Sequence, residues 1–137
     1  MMNVSFLLRP KATVAYLYDD YSLRQALEKM HHHGYSAIPV ISREGKYIST
    51  ISEGDLLWFL IDGEGGEIIK TQIHDVENIK IAELLGNDKN PPIHITSSVK
   101  DLIMQAVNQN FVPVIDDLGS FIGIITRKDI MLYLSKE

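Results

Sequence analysis

Residues 36–55 read SAIPVISREGKYISTISEGD, and residues 110–129 read NFVPVIDDLGSFIGIITRKD. Laid over one another at an offset of 74 (position 113 against 39), Pro39-Val40-Ile41 falls on Pro113-Val114-Ile115 and Gly45 on Gly119. Tyr47 falls on Phe121, Ile48 on Ile122, Ile51 on Ile125, Ser52 on Thr126 and Asp55 on Asp129. Upstream the offset becomes 76, where Leu23, Ala26, Leu27 and Met30 match Val99, Leu102, Ile103 and Ala106. The second half is shorter by two residues where the first carries His32, His33 and Gly34. Register matches of this density mark a duplicated unit of roughly sixty residues.

Each copy reads as the same series of elements. A short extended segment comes first, Val14 to Tyr18 or Ile93 to Ile95. A helix follows, opened by Ser22 with Gln25 or by Ser98 with Asp101, an N-cap and a third-position acceptor for amides that have no intrahelical partner. Apolar residues at 23, 26, 27 and 30, and at 99, 102, 103, 106 and 107, give each helix one buried stripe. A β-branched strand (Ile38 to Ile41; Val112 to Ile115) turns at Glu44-Gly45 or Leu118-Gly119 into a second strand (Tyr47 to Ile51; Phe121 to Ile125). The second helix starts at Ser52 or Thr126. The expected fold is α/β (α+β), with β–α–β–β–α twice. The first motif spans 8–62, a connector opening with Gly63-Glu64-Gly65-Gly66 spans 63–79, and the second motif spans 80–137. Neither half can bury its helical faces alone, whereas two units stacked through their sheets can.

Composition narrows the function. The 137 residues are 45% hydrophobic and 23% charged, which suits a globular domain. The absence of cysteine excludes disulfides, thiolate zinc sites, iron–sulfur clusters and cysteine nucleophiles. A net charge of −5 argues against a broad surface for nucleic acid or anionic membrane, while leaving room for a local basic pocket. The longest apolar run, Leu56 to Ile61, falls far short of the roughly 18–20 residues of a membrane span. The opening MMNVSFLLRPK has no basic region ahead of its apolar residues and no small-residue cleavage site, so a cytoplasmic protein is expected.

The starts of the two second helices, Ser52-Glu53-Gly54-Asp55 and Thr126-Arg127-Lys128-Asp129, share the form S/T-x-x-D. One use of that pattern is structural: a hydroxyl N-cap with a third-position carboxylate stabilises a helix by about 1 kcal/mol. The other is ligand binding. A strand-to-helix turn offers free amides and the positive end of the helix dipole to a phosphate, the hydroxyl can donate to it, and the carboxylate can accept both hydroxyls of a ribose. Arg127 and Lys128 add positive charge at the second turn, where the first has Glu53 and Gly54. If one turn holds phosphate, it is the second.

Pro39 and Pro113 lie inside β-branched runs. Proline cannot donate to a ladder, so each strand is expected at a sheet edge or bulged, which either protects the edge or leaves backbone groups for a flat base. His31, His32 and His33 point about 100° apart on a helix and cannot converge on one metal ion; a helix end before Gly34 accounts for them. His74 is lone, and Asp19, Asp20, Asp116 and Asp117 sit in turn-like segments. No G-x-S-x-G, H-E-x-x-H, G-x-G-x-x-G or P-loop ending occurs, and no nucleophile, base and oxyanion stabiliser assemble, so no catalytic residues are assigned and the chain is not expected to be an enzyme. Leu56, Leu57, Trp58, Phe59, Leu60 and Ile61, and more loosely Ile130 to Leu134, are apolar around the whole helix. Such helices are buried on all sides, either between the two halves or against a second copy of the chain.

With the repeat laid out, the chain resembles a tandem pair of CBS domains, the regulatory module named after cystathionine β-synthase. The resemblance covers both halves and rests on G-Y-S-A-I-P-V-I with T-I-S-E-G-D, and on N-F-V-P-V-I with G-I-I-T-R-K-D-I. It implies two repeats related by pseudo-two-fold symmetry, adenine nucleotide in clefts between the motifs, and a further homodimer that senses ligand and controls a partner protein. The nucleotide would be a regulatory ligand, with no separate cofactor and no metal.

Carried over by position, the resemblance builds one cleft from Thr13, Val14, Ala15, the strand Tyr35, Ser36, Ala37 and Ile38, and the turn Thr126, Arg127, Lys128 and Asp129. The strand backbone would hold adenine, Asp129 the ribose, and Thr126, Arg127 and Lys128 the phosphate. The twin, weaker cleft would use His94 within Ile93 to Ile95, Phe111, Val112, Ser52 and Asp55. Ala15, Gly34 to Val40 and Thr126 to Lys128 are similar to small bacterial CBS proteins that bind cyclic di-AMP. That ligand is therefore favoured over AMP, ADP or ATP. The alternative is a structural or interaction module whose clefts bind nothing.

Overall fold

The computed structural model describes residues 4–62, 78–85 and 90–136. In chain order its elements are β1 (Arg9–Pro10), β2 (Leu17–Tyr18), α1 (Leu23–His33), β3 (Ala37–Ile41), β4 (Tyr47–Ser52), α2 (Glu53–Asp62), β5 (Ile93–His94), α3 (Val99–Ala106), β6 (Phe111–Ile115), β7 (Phe121–Thr126) and α4 (Arg127–Leu134). Short 3-10 turns lie at Val4–Leu7, Lys11–Thr13 and Ile81–Leu84. The β–α–β–β–α series is present twice, from β2 to α2 and from β5 to α4. Its opening strands are shorter than the sequence suggests, two residues each. The connector 63–79, with His74, lies outside the described residues except for its last two positions, as do the side chains of Leu60 and Ile61.

The chain forms two compact units. The terminal unit contains Met1–Ala15, Glu44–Tyr47 and Lys89–Glu137, and the central unit contains Tyr16–Arg43 and Ile48–Asp88.

In the terminal unit the strand order is β1-β7-β6-β5. β6 and β7 are antiparallel, with Phe111 opposite Thr126 and Val112 opposite Ile125. Alternate residues Phe121, Gly123 and Ile125 of β7 are buried, the period-two pattern of a strand with one face on a core. Val4, Ile93, Leu102, Ala106, Val112, Val114, Ile125 and Ile130 form that core. Leu102 and Ala106 come from one helix face at i, i+4 spacing, as the sequence stripe requires. β1 lies antiparallel on the outer side of β7, Arg9 opposite Ile124 and Pro10 opposite Gly123. Only glycine allows this approach: Gly123 has φ +153°, and a Cβ there would lie 2.2 Å from the Arg9 carbonyl oxygen. The turn Glu44–Tyr47 completes the unit. Phe121 N–H donates to the Gly45 carbonyl at 2.8 Å and Tyr47 N–H to the Gly119 carbonyl at 3.2 Å. The Lys46 ammonium donates to the Leu118 carbonyl.

In the central unit the order is β2-β3-β4, with Leu17 beside Val40 and Tyr18 beside Ile41 in parallel register. Leu17, Leu23, Ala26, Met30, Ile38, Val40, Ile41, Ile51, Leu56 and Ile81 are buried. α1 opens with the reciprocal capping box expected at Ser22: Gln25 N–H donates to Ser22 Oγ at 3.2 Å, and Ser22 N–H to Gln25 Oε1 at 2.8 Å. It ends at Gly34, in the left-handed region at φ +70° just past the three histidines.

The proline strands are not edge strands, since β3 and β6 are each central in their sheets. The prolines fit because their parallel neighbours are so short. β2 pairs only with Val40 and Ile41, and β5 only with Val114 and Ile115. At Pro39 and Pro113 themselves, no strand flanks that side among the described residues, so each proline sits on a locally open edge. β6 also shifts register between Val114 and Ile115. The all-round apolar helices are not buried within the chain either. Leu56 and Ile130 are, but Trp58 is 67% exposed and Leu132 51%, with Leu57, Met131 and Leu134 exposed beside them.

Candidate functional site

β7 runs into α4 at Thr126, which stays extended (φ −94°, ψ 150°) and accepts a hydrogen bond from Asp129 N–H on its hydroxyl at 3.2 Å. The hydroxyl is thereby an N-cap, and the amides and dipole of the eight-residue α4 begin at the residues following it. Asp129 gives both carboxylate oxygens to Arg9 of β1, at 2.7 Å from Nε and 3.1 Å from Nη2, while its side chain keeps 24% exposure. The Arg9 guanidinium holds the Asp129 carboxyl below its ordinary pKa against the opposing effect of burial; Thr126 and Lys128 lower it further.

The two basic residues of the turn part company. Arg127 donates from Nε and Nη2 to the Ala106 carbonyl at 3.1 and 2.9 Å, and from Nη2 to the Val107 carbonyl at 3.4 Å. Its cation thus satisfies carbonyls at the C-terminal end of α3, where positive charge is favoured. Its backbone N–H donates to the Asn110 carbonyl at 2.9 Å, which fixes the turn against the start of β6. Lys128 is exposed. On the other side of β7, the turn Lys11–Thr13 packs against the strand, with the Thr13 hydroxyl donating to the Pro10 carbonyl at 2.8 Å. Val14 follows, half-buried, and Ala15 is buried. The terminal unit therefore brings the Lys11–Thr13 turn and the Thr126–Asp129 turn to one strand.

Tyr35, Ser36, Ala37 and Ile38 belong to the central unit. Tyr35 is exposed and stacks on His33 at 5.4 Å, the Ser36 carbonyl accepts from Glu53 N–H at 2.9 Å, Ala37 opens β3, and Ile38 is buried. Ser52 and Asp55 form a reciprocal pair: Asp55 N–H donates to Ser52 Oγ at 3.1 Å and Ser52 N–H to Asp55 Oδ2 at 2.9 Å. The two S/T-x-x-D copies thus differ in what their aspartates do. The Asp55 carboxylate accepts from its own cap's N–H, whereas the Asp129 carboxylate, beside the Thr126 hydroxyl, accepts from Arg9 through both oxygens. The remaining twin-cleft residues lie in the terminal unit, where His94 meets Asp117 through Nε2 at 2.6 Å and Thr96 through Nδ1 at 2.7 Å. Phe111 is half-buried and Val112 buried. Asp20 and Asp116, in the other turns, also have partners. Asp20 binds Arg43 through both oxygens at 2.7 and 2.9 Å, and Asp116 Oδ1 accepts from the N–H groups of Leu118 and Ser120.

Arg9 is the residue that sequence reasoning misses. The only signal near it is indirect: a glycine at 123 inside a β-branched strand, the mark of a close backbone approach.

A family model of the CBS domain matches residues 8–62 and again residues 81–136. The chain belongs to the CBS domain family. This CBS protein is similar to CbpB solved in complex with c-di-AMP, with a TM-score of 0.87 and 28% identity over 98% of this chain and 85% of that one. It is also similar to CbpB from Streptococcus agalactiae, with a TM-score of 0.83 and 28% identity over 97% of this chain and 80% of that one. A CBS domain-containing protein of Dictyostelium discoideum is 26% identical over 123 residues, 85% of this chain and 81% of its own. In this CBS protein no helix among the described residues is long and apolar enough to cross a membrane.

Proposed function

We propose that this CBS protein is a non-enzymatic regulatory sensor that binds an adenine nucleotide, cyclic di-AMP in preference to AMP, ADP or ATP, and acts as a homodimer on a partner protein. The observation that carries this reading is the Thr126 turn. It combines a helix start, a capping hydroxyl, an exposed lysine and a carboxylate paired with Arg9. Phosphate is assigned to the α4 amides, the Thr126 hydroxyl and Lys128. Arg127 contributes by fixing the turn, and Thr13, Val14 and Ala15 are assigned to the same cleft. In the central unit, the backbone of Tyr35 to Ile38 is assigned to an adenine ring, at the edge of β3 that β2 does not reach before Val40 among the described residues. The likeness to CbpB, which binds c-di-AMP, supports the dinucleotide. Ser52, Asp55 and His94 hold one another or nearby turn residues, which supports weak or absent binding by the twin set that includes Phe111 and Val112.

A thermal-shift panel of AMP, ADP, ATP, S-adenosylmethionine and cyclic di-AMP tests the reading. A ligand at 100 times its dissociation constant stabilises a fold by about 2.7 kcal/mol, so cyclic di-AMP is expected to raise the melting temperature by several degrees and most of the panel. No shift with any of the five would leave a structural module with non-binding clefts.

A further inference from the structure

We infer that Arg9 sets the ligand specificity of the Thr126 turn, because its bidentate ion pair with Asp129 disfavours ligands that present a free ribose diol and leaves cyclic dinucleotides favoured. The inference rests on nucleotide binding at that turn. Arg9 is placed by the backbone: it lies opposite Ile124 in the β1–β7 pair, and the next residue, Pro10, lies opposite Gly123. Gly123 admits β1 at a distance that any side chain would block, and Pro10 is fixed at φ −66°. Arg9 therefore leaves a stiff segment, and its planar fork meets both oxygens of Asp129.

The ion pair acts on ligand chemistry through those two oxygens. AMP, ADP and ATP each carry adjacent 2′ and 3′ hydroxyls, and a carboxylate clamps such a diol by accepting from both. That clamp competes for the oxygens that Arg9 already holds. In a 3′,5′-cyclic dinucleotide each 3′ oxygen is esterified, so one hydroxyl remains per ribose and the two-oxygen clamp has no counterpart. The pair also neutralises Asp129, which would otherwise repel two phosphodiester charges from a turn where Arg127 is committed to α3.

Calorimetric titration of the full chain with AMP and with cyclic di-AMP, at one salt concentration, tests this in wild type, Arg9→Gln, Arg9→Lys and Arg9→Gln/Asp129→Asn. Arg9→Gln is expected to tighten AMP about tenfold and to weaken cyclic di-AMP severalfold. Arg9→Lys, which keeps the charge but loses the fork, should fall between. The double variant should lose the gain for AMP, a result that mere loosening of β1 would not give. If Arg9→Gln leaves the affinity ratio unchanged while the wild type binds cyclic di-AMP, or if the double variant keeps the AMP gain, the inference is overturned and nucleotide binding stands. If neither ligand binds wild type or variants, the nucleotide reading and the inference fall together.

Discussion

Gly123→Ala is expected to destabilise the protein by about 3 kcal/mol or more, lowering its melting temperature by roughly 10 °C. The added methyl would sit 2.2 Å from the Arg9 carbonyl oxygen and 2.9 Å from Leu8 Cδ1, on a backbone at φ +153°. Strain of this kind costs about 1–3 kcal/mol before the clash is counted, and the neighbour is backbone that cannot swing aside. Gly45→Ala is the control. Its φ is also positive, at +87°, but the nearest atom to a Cβ is Lys11 Nζ at 3.8 Å, an ordinary contact, so about 1 kcal/mol is expected there. Thermal unfolding of both variants checks the difference. Equal losses would mean that β1 does not lie against Gly123. Amide exchange at Leu8 and Arg9 should rise in Gly123→Ala ahead of exchange in β6, because relief of the clash requires β1 to leave.

Trp58→Glu combined with Leu132→Glu is expected to convert the proposed homodimer into folded monomers. Both side chains are more than half exposed, and they sit beside exposed Leu57, Met131 and Leu134 on helices whose buried positions are already filled by Leu56 and Ile130. Large apolar side chains contribute about 1.5–3 kcal/mol each on full burial, and two positions from each of two chains multiply that. A charge in their place leaves no dimer at micromolar concentration. Sedimentation of wild type and variant decides the matter: a wild type that is monomeric at high micromolar concentration removes the homodimer.

The repeat, its five elements per copy, and the caps at Ser22, Ser98, Ser52 and Thr126 were legible in the sequence because each rests on local chemistry. Hydroxyls three residues ahead of an acceptor, apolar stripes at helical spacing and glycines in the turns at 45 and 119 act over a few positions. What was illegible acts over long separations. Arg9 and Asp129 are 120 residues apart, and no periodicity links them. The placement of Glu44–Tyr47 beside Gly119 and Phe121 depends on two hairpin turns meeting, which neither turn encodes alone. Arg127 looked like a phosphate ligand from its position at a helix start. In the structure its guanidinium reaches the Ala106 and Val107 carbonyls at the end of α3, a long-range contact that no local pattern marks. The prolines were read correctly as incompatible with a ladder. Of the two expected placements, edge or bulge, the edge does not hold for the central β3 and β6, because strands as short as β2 and β5 leave no alternating pattern in the sequence. β6 does carry a register shift beside Pro113.

Calorimetric titration with cyclic di-AMP, comparing wild type with Lys128→Ala and Asp55→Ala, tests nucleotide binding at the Thr126 turn most directly. Lys128 is exposed and Asp55 closes its own cap, so the two substitutions separate the two S/T-x-x-D copies. One strong site per chain is expected. Lys128→Ala should weaken it about tenfold, the loss of one charged contact to phosphate, by an amount that shrinks as salt is raised. Asp55→Ala should leave it within about twofold of wild type. Absence of binding, or equal losses from the two substitutions, would contradict the account.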